Sequence, residues 1–226
     1  LVIALEDGLH KFQPGSGELE LLVELEANMP DNRPNDGKCD AAGRLWLGTM
    51  NKVDVKRKTG SLYRIDPDLT ITTIATQYQV PNGTAWSPKD DFMYHTDTKG
   101  NVAWIYDFDT KTGQISNKRE YLRFNRNLSG AVDGAAVDIK GGYWSAMYGG
   151  GRIRRTLSNG EVDSDLLLPV TQPTMPAFGS FDMKTLFITT AQQKLNEREL
   201  EDQPMAGALL SVNTCFQGTP VYPFGG

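Results

Sequence analysis

Apolar and polar positions alternate along this chain in runs of a few residues, and Gly, Asn, Asp and Pro break the runs. A period of two bounded by turn residues predicts β-strands joined by tight turns. Four segments share one order: a polar or Gly-containing start, a short apolar strand, a turn, then an aromatic-rich strand. They are residues 35–50 (NDGKCDAAGRLWLGTM), 82–97 (NGTAWSPKDDFMYHTD), 133–148 (DGAAVDIKGGYWSAMY) and 176–190 (PAFGSFDMKTLFITT). Their starts lie 47, 51 and 43 residues apart, a period that suits a four-stranded propeller blade. Inside the copies, Ala42-Gly43, Lys89-Asp90, Lys140-Gly141 and Asp182-Met183 are the expected turns, because polar residues and Gly tolerate left-handed backbone.

Each copy is followed by two more strand signals: 60–65 and 70–77, 102–108 and 118–124, 151–156 and 162–168, 207–212 and 219–222. Only 194–203 (KLNERELEDQ) reads as helical, in an exposed insertion. Residues 1–5, 8–13 and 18–25 read as three strands of a further blade without its innermost strand. A ring of blades hides its edges only by closing. The expectation is therefore an all-β, six-bladed β-propeller, with about four complete blades plus part of a fifth in this chain and an N-terminal blade missing. Residues 1–226 read as one domain. A closed five-bladed propeller is the competing reading.

Composition narrows the partners. The chain has 226 residues, 39% hydrophobic and 23% charged, with apolar runs too short to span a bilayer. Its formal net charge of −5 disfavours polyanions, so neither nucleic acid nor a membrane is expected as a partner. Cys39 and Cys215 fall in different repeats without metal-ligand spacing; they read as two buried free thiols, with a disulfide between them as the alternative. Trp46, Trp86, Trp104 and Trp144 read as packing between blades. No G-x-S-x-G elbow is present, and His10 lies in an outer-strand region, so a Ser-His-Asp triad is not expected.

Longer motifs carry a family resemblance. Residues 32–50 (NRPNDGKCDAAGRLWLGTM) resemble the R-x-N-D-G-K-x-D-x-x-G-R segment of the SMP-30/gluconolactonase/regucalcin-like family. Residues 80–97 are similar to its S-N-G-L-x-W-S segment, 132–153 to its P-D-G-x-x-x-D and G-G-G-x-V segments, and 173–191 to its P-T-x-x-A-F-G and L-x-x-T-T-A segments. The resemblance covers essentially the whole chain in order. It implies a six-bladed propeller with one divalent cation (Ca²⁺, Zn²⁺, Mn²⁺ or Mg²⁺) in a central channel, hydrolysis of sugar lactones such as gluconolactone, and a cytoplasmic location. Asn82 matches the family's metal-binding asparagine, and Asp133 its metal-binding aspartate and general base. Arg33 and Asn35 match residues that bind substrate. A metal-binding glutamate near the family's N-terminus has no counterpart here. A substrate-contacting glutamate expected after Met50 is replaced by the basic loop 51–58 (NKVDVKRK), and Pro176 stands where many members have cysteine.

The repeat frame points to the same positions without the resemblance. Asn35, Asn82 and Asp133 occupy equivalent places at the start of three inner strands, the end that faces the channel of a propeller. Their side-chain oxygens are hard ligands. A bound cation can polarise a lactone carbonyl and acidify a water, Asp133 can take that water's proton, and Arg33 can orient hydroxyl or carboxylate groups. Asn-Gly and Asp-Gly alone are common turns, and Asp36, His95 and Asp97 read as structural. The basic loop reads as a solvated tip or as a cover that selects acidic substrates. Two alternatives stay open: hydrolysis of other esters on the same metal site, and a non-catalytic calcium-binding or regulatory propeller.

Overall fold

A computed structural model describes all 226 residues, Leu1–Gly226. Two compact units are distinguished, one of Leu1–Pro81 with Val221–Gly226, the other of Asn82–Pro220. Every sheet in both is an antiparallel meander in which each strand pairs with its neighbour in sequence. Short turns between alternating runs leave no other low-cost pairing.

The first unit holds two sheets. Strands β1 (Val2–Leu5), β2 (Gly8–Phe12) and β3 (Leu19–Glu24) form a three-stranded sheet. Strands β4 (Asn32–Cys39), β5 (Leu45–Asn51), β6 (Gly60–Ile65) and β7 (Ile71–Tyr78) form a four-stranded one. Leu9, Leu25, Leu47 and Ile65 make the core between them, with Phe224 packed against it. The terminal segment is tied in by the Gly225 amide, which donates to Gly43 O at 3.0 Å.

The second unit holds three sheets. The first contains β8 (Pro81–Trp86), β9 (Phe92–Asp97), β10 (Val102–Asp109) and β11 (Gln114–Arg123); after a single helical turn, α1 (Arg126–Ser129), the second contains β12 (Ala131–Val137), β13 (Tyr143–Tyr148), β14 (Arg152–Thr156) and β15 (Val162–Leu167). The third contains only β16 (Pro173–Gly179), β17 (Thr185–Thr190) and β18 (Leu209–Asn213), with α2 (Glu197–Asp202) in the connection between β17 and β18. Tyr94, Tyr121 and Tyr143 pack with ring centroids 4.8 to 5.7 Å apart. Trp144 meets Phe178 and Phe216 edge-on at 5.6 and 5.3 Å. Such pairs add about 0.5–1.5 kcal/mol beyond their buried area.

Five sheets are present, the number expected in this chain, but three rather than four of them are complete, and these five do not by themselves show a six-bladed ring. The expected strand at 219–222 does not join β18. Thr219 N and Oγ1 both donate to Val137 O, at 3.0 and 3.1 Å, and Pro220 and Pro223 offer no ladder N–H. Other expectations hold in whole or in part. All four inner turns carry positive φ at their second residue: Gly43 76°, Asp90 54°, Gly141 84° and Met183 55°. The helical insertion is α2, whose N-terminus is closed by a capping box between Asn196 and Glu199. Both cysteines are free, but Cys39 is half-buried and Cys215 exposed, not buried. Trp46, Trp86 and Trp144 are buried, whereas Trp104 is only partly so and lies under the Lys118 ammonium, 4.3 Å from its ring centre.

Two of the inner turns share one lock. Asp40 accepts from the amides of Ala42 and Arg44 and from Trp46 Nε1 at 2.9 Å; Asp138 accepts from the amides of Lys140 and Gly142 and from Trp144 Nε1 at 2.7 Å. Each aspartate also takes a guanidinium at 2.7 Å. Arg44 supplies it from the same turn, while Arg155 supplies it from β14. The repeat thus keeps the contact while changing the donor's place in the chain.

Candidate functional site

The four candidate residues sit near the starts of inner strands: Arg33 and Asn35 in β4, Asn82 in β8, Asp133 in β12. In β4 and β12 the ladder breaks at that point. Register shifts fall between Pro34 and Gly37, and between Val132 and Ala135, so Asn35 and Asp133 lie in bulges. A bulge removes a residue from regular pairing and re-aims its side chain.

In the first unit, Arg33 and Asn35 are joined. Arg33 Nη1 donates to Pro34 O at 2.7 Å and to Asn35 Oδ1 at 3.2 Å, while Asn35 Nδ2 donates to Pro81 O at 2.9 Å. Both ends of the Asn35 amide are engaged, so it braces the guanidinium, whose remaining N–H groups form a fork suited to oxygens of a ligand. Behind them lies a polar network invisible to motif reading. Glu26, at φ 55°, accepts from Asn32 Nδ2, Thr49 Oγ1 and Tyr63 Oη at 2.8 to 2.9 Å. The basic loop joins β5 to β6, and its charges are partly neutralised locally: Lys52 pairs with Glu6, and Arg57 lies 3.6 Å from Asp31.

In the second unit, Asn82 and Asp133 are brought together. Asn82 is 3% exposed. Its Nδ2 donates to Thr98 Oγ1 at 2.8 Å, and Thr98 Oγ1 donates to Val132 O at 2.7 Å, one residue before Asp133. Gly83, at φ 62°, allows the close approach. A Cβ there would stand 2.4 Å from Tyr143 Oη and 3.2 Å from Asp133 O. Tyr148 also belongs to this neighbourhood. Burial, and then the Asp133 carboxylate, push its phenol above the ordinary value.

His95 and Asp97 are structural here. His95 is buried, its Nδ1 is 3.0 Å from Thr84 Oγ1, and burial followed by the Lys118 charge drives it down to about 3, so the ring is neutral. Asp97 caps the short 3₁₀ turn Thr98–Gly100. No three His, Cys, Asp or Glu side chains cluster as a ready-made cage. The donors expected from the sequence are the Asn82 amide and the Asp133 carboxylate. Because Asn82 Nδ2 is committed to Thr98, the amide's other end is its oxygen, the donor that a hard divalent cation takes. By the chemistry of their oxygen donors, these two residue types fit such an ion. Thr98 and Tyr148 were missed by sequence reasoning, since each is an ordinary residue near the end of a strand.

Comparisons with known proteins agree with the resemblance. Residues 1–192 match the family described as SMP-30/Gluconolactonase/LRE-like region. A 6-deoxy-6-sulfogluconolactonase of Pseudomonas putida is 35% identical over 217 residues, covering 96% of this chain and 74% of that protein. Regucalcin of Bos taurus is 32% identical, covering 91% and 71%. Among solved structures, a calcium-binding protein, regucalcin, from Agrobacterium tumefaciens superposes with a TM-score of 0.93 at 28% identity, covering 99% of this chain and 75% of that one. The all-β architecture is that of regucalcin-like propellers.

Proposed function

Since the chain belongs to the SMP-30/gluconolactonase/LRE-like family, we propose that it is a divalent-cation-dependent hydrolase of sugar lactones. The observation that carries the reading is the hydrogen-bonded link from Asn82 through Thr98 to the residue beside Asp133. It ties the start of β8 to the start of β12, the strands that carry Asn82 and Asp133. Relatives named as lactonases supply the reaction class. The chain spans about three quarters of their length, and a six-bladed ring, with residues 1–226 as one domain of it, belongs to this reading.

Asn82 Oδ1 and Asp133 would hold the cation, which supplies polarisation of the lactone carbonyl and a lowered pKa for water. Asp133 accepts the proton of the attacking water and returns it to the ring oxygen as the lactone opens. Arg33, braced by Asn35, orients the sugar's hydroxyl groups. No covalent enzyme intermediate is required.

The relatives named regucalcin, one of them described as a calcium-binding protein, favour a second reading: the same site binds calcium without turnover. Gluconolactone hydrolysis with Zn²⁺, Mn²⁺, Ca²⁺ or chelator, in wild type and Asp133→Ala, separates them. The lactonase reading expects cation-dependent turnover that falls at least ~100-fold in the variant. A folded protein that binds the cation and turns nothing over supports the binding role. Neither binding nor turnover would refute both.

A further inference from the structure

Thr98 makes one hydroxyl serve three elements, and its proton has only one place to go. A carbonyl can only accept, so the 2.7 Å contact with Val132 O takes the Thr98 proton. The hydroxyl then has only lone pairs left to offer. The partner 2.8 Å away on its other side must therefore be an N–H, and that is Asn82 Nδ2. Turning the Asn82 amide over would set its oxygen against those lone pairs in a buried place, since Asn82 is 3% and Thr98 7% exposed and Val132 is fully buried. The Thr98 turn is itself held. Asp97 Oδ1 caps it through the Lys99 amide at 3.3 Å, and Asn101 ends it at φ 59°. A carbonyl of β12 thus dictates, through one hydroxyl, which atom β8 presents.

We infer that Thr98 is a positioning residue for the cation site, acting through Asn82 to keep that amide's oxygen toward the ion and its nitrogen away. The inference rests on the reading of Asn82 and Asp133 as cation ligands and assigns Thr98 no contact with ion or substrate. Groups that orient a ligand from behind typically carry 10- to 100-fold of metal affinity. Valine has threonine's shape without the hydroxyl, so it frees the amide to present its –NH₂ to the cation. Serine restores the hydroxyl.

The test is calorimetric titration of Mn²⁺ into wild type, Thr98→Val, Thr98→Ser and Asn82→Ala, with thermal unfolding of each cation-free protein alongside. The expected result is affinity about 10- to 100-fold weaker in the valine variant, near wild type in the serine variant, and lost in the alanine variant. Wild-type protein that binds no Mn²⁺ overturns the cation site and the inference with it. Binding that is lost in Asn82→Ala yet unchanged in folded Thr98→Val, or weakened equally in Thr98→Ser, overturns the inference alone. Should the valine variant not fold, side-chain amide NMR of the wild type decides. The Asn82 Nδ2 protons should exchange slowly, and Zn²⁺ should shift the Asn82 carbonyl carbon. Solvent-rate exchange of those protons overturns the inference.

Discussion

Asp138 is fully buried yet ionised, because its neighbours outweigh its environment. Burial raises its pKa, but the Arg155 guanidinium, the Trp144 indole and the Gly142 amide together hold it below the ordinary value of 3.8. A folded value below the unfolded one, about 3.9, means the stabilisation is complete above that pH and lost as pH falls through the folded value. Asp138→Asn, which leaves the buried Arg155 guanidinium with only the part-exposed Asp163, 3.1 Å away, should cost about 3 kcal/mol at pH 7. Urea unfolding of both proteins from pH 7 to pH 3 should show the gap closing toward acid; a gap independent of pH would contradict this account. The thiols offer a second check. Burial and the Asp40 carboxylate raise Cys39 to about 11, whereas Cys215 is exposed. A thiol reagent at pH 8 should label Cys215 quickly and Cys39 only slowly, and mass spectrometry of the labelled peptides would expose the opposite order.

Within single elements, local chemistry and tertiary packing divide the work. Helix α2 has no buried residue, so its capping box carries much of its order. Asn196→Ala should cost about 1 kcal/mol, felt as faster hydrogen exchange at Glu197–Asp202 with the global melting temperature unchanged; protection equal to wild type would show that other contacts hold the helix. The bulges in β4 and β12 are a different case. No local signal separates Asn35-Asp36-Gly37 or Asp133-Gly134 in a bulge from the same residues in a turn. The bulge at Asp133 is packed from outside, as a Cβ at Gly134 would come within 2.5 Å of Met175 Sδ. Strand 219–222 failed for the complementary reason: it had strand-like residues, but the Thr219 donors were taken by Val137 O and Pro220 has none to give.

At the scale of the whole molecule, a cation that binds only the folded chain must stabilise all of it. Saturation at 100 times the dissociation constant should add about 2.7 kcal/mol. For a chain of this size that raises the melting midpoint by roughly 2–4 °C per kcal/mol. Differential scanning calorimetry with Mn²⁺, Ca²⁺ and chelator should show the rise and its reversal, and Asn82→Ala should abolish it. An unchanged midpoint at concentrations that calorimetric titration shows to be saturating would argue that the ion binds folded and unfolded chains alike.

The sequence by itself determined the all-β architecture, the blade-length repeat, the four left-handed turns and the exposed capped helix. Each of these follows from chemistry within a few residues: a two-residue alternation, a glycine or polar turn, an Asn and a Glu three apart. It also marked Asn35, Asn82 and Asp133 as equivalent places in the repeat, because such places are legible as spacing. Only the tertiary structure decided what those residues do to one another. Asn35 proved to brace Arg33, Thr98 joined Asn82 to Val132, which lies 34 residues beyond Thr98 in the chain, and Arg155 replaced Arg44 as the guanidinium of an otherwise repeated lock. The orientation of a side-chain amide depends on which partner holds the proton, and that partner is supplied by packing rather than by neighbours in sequence.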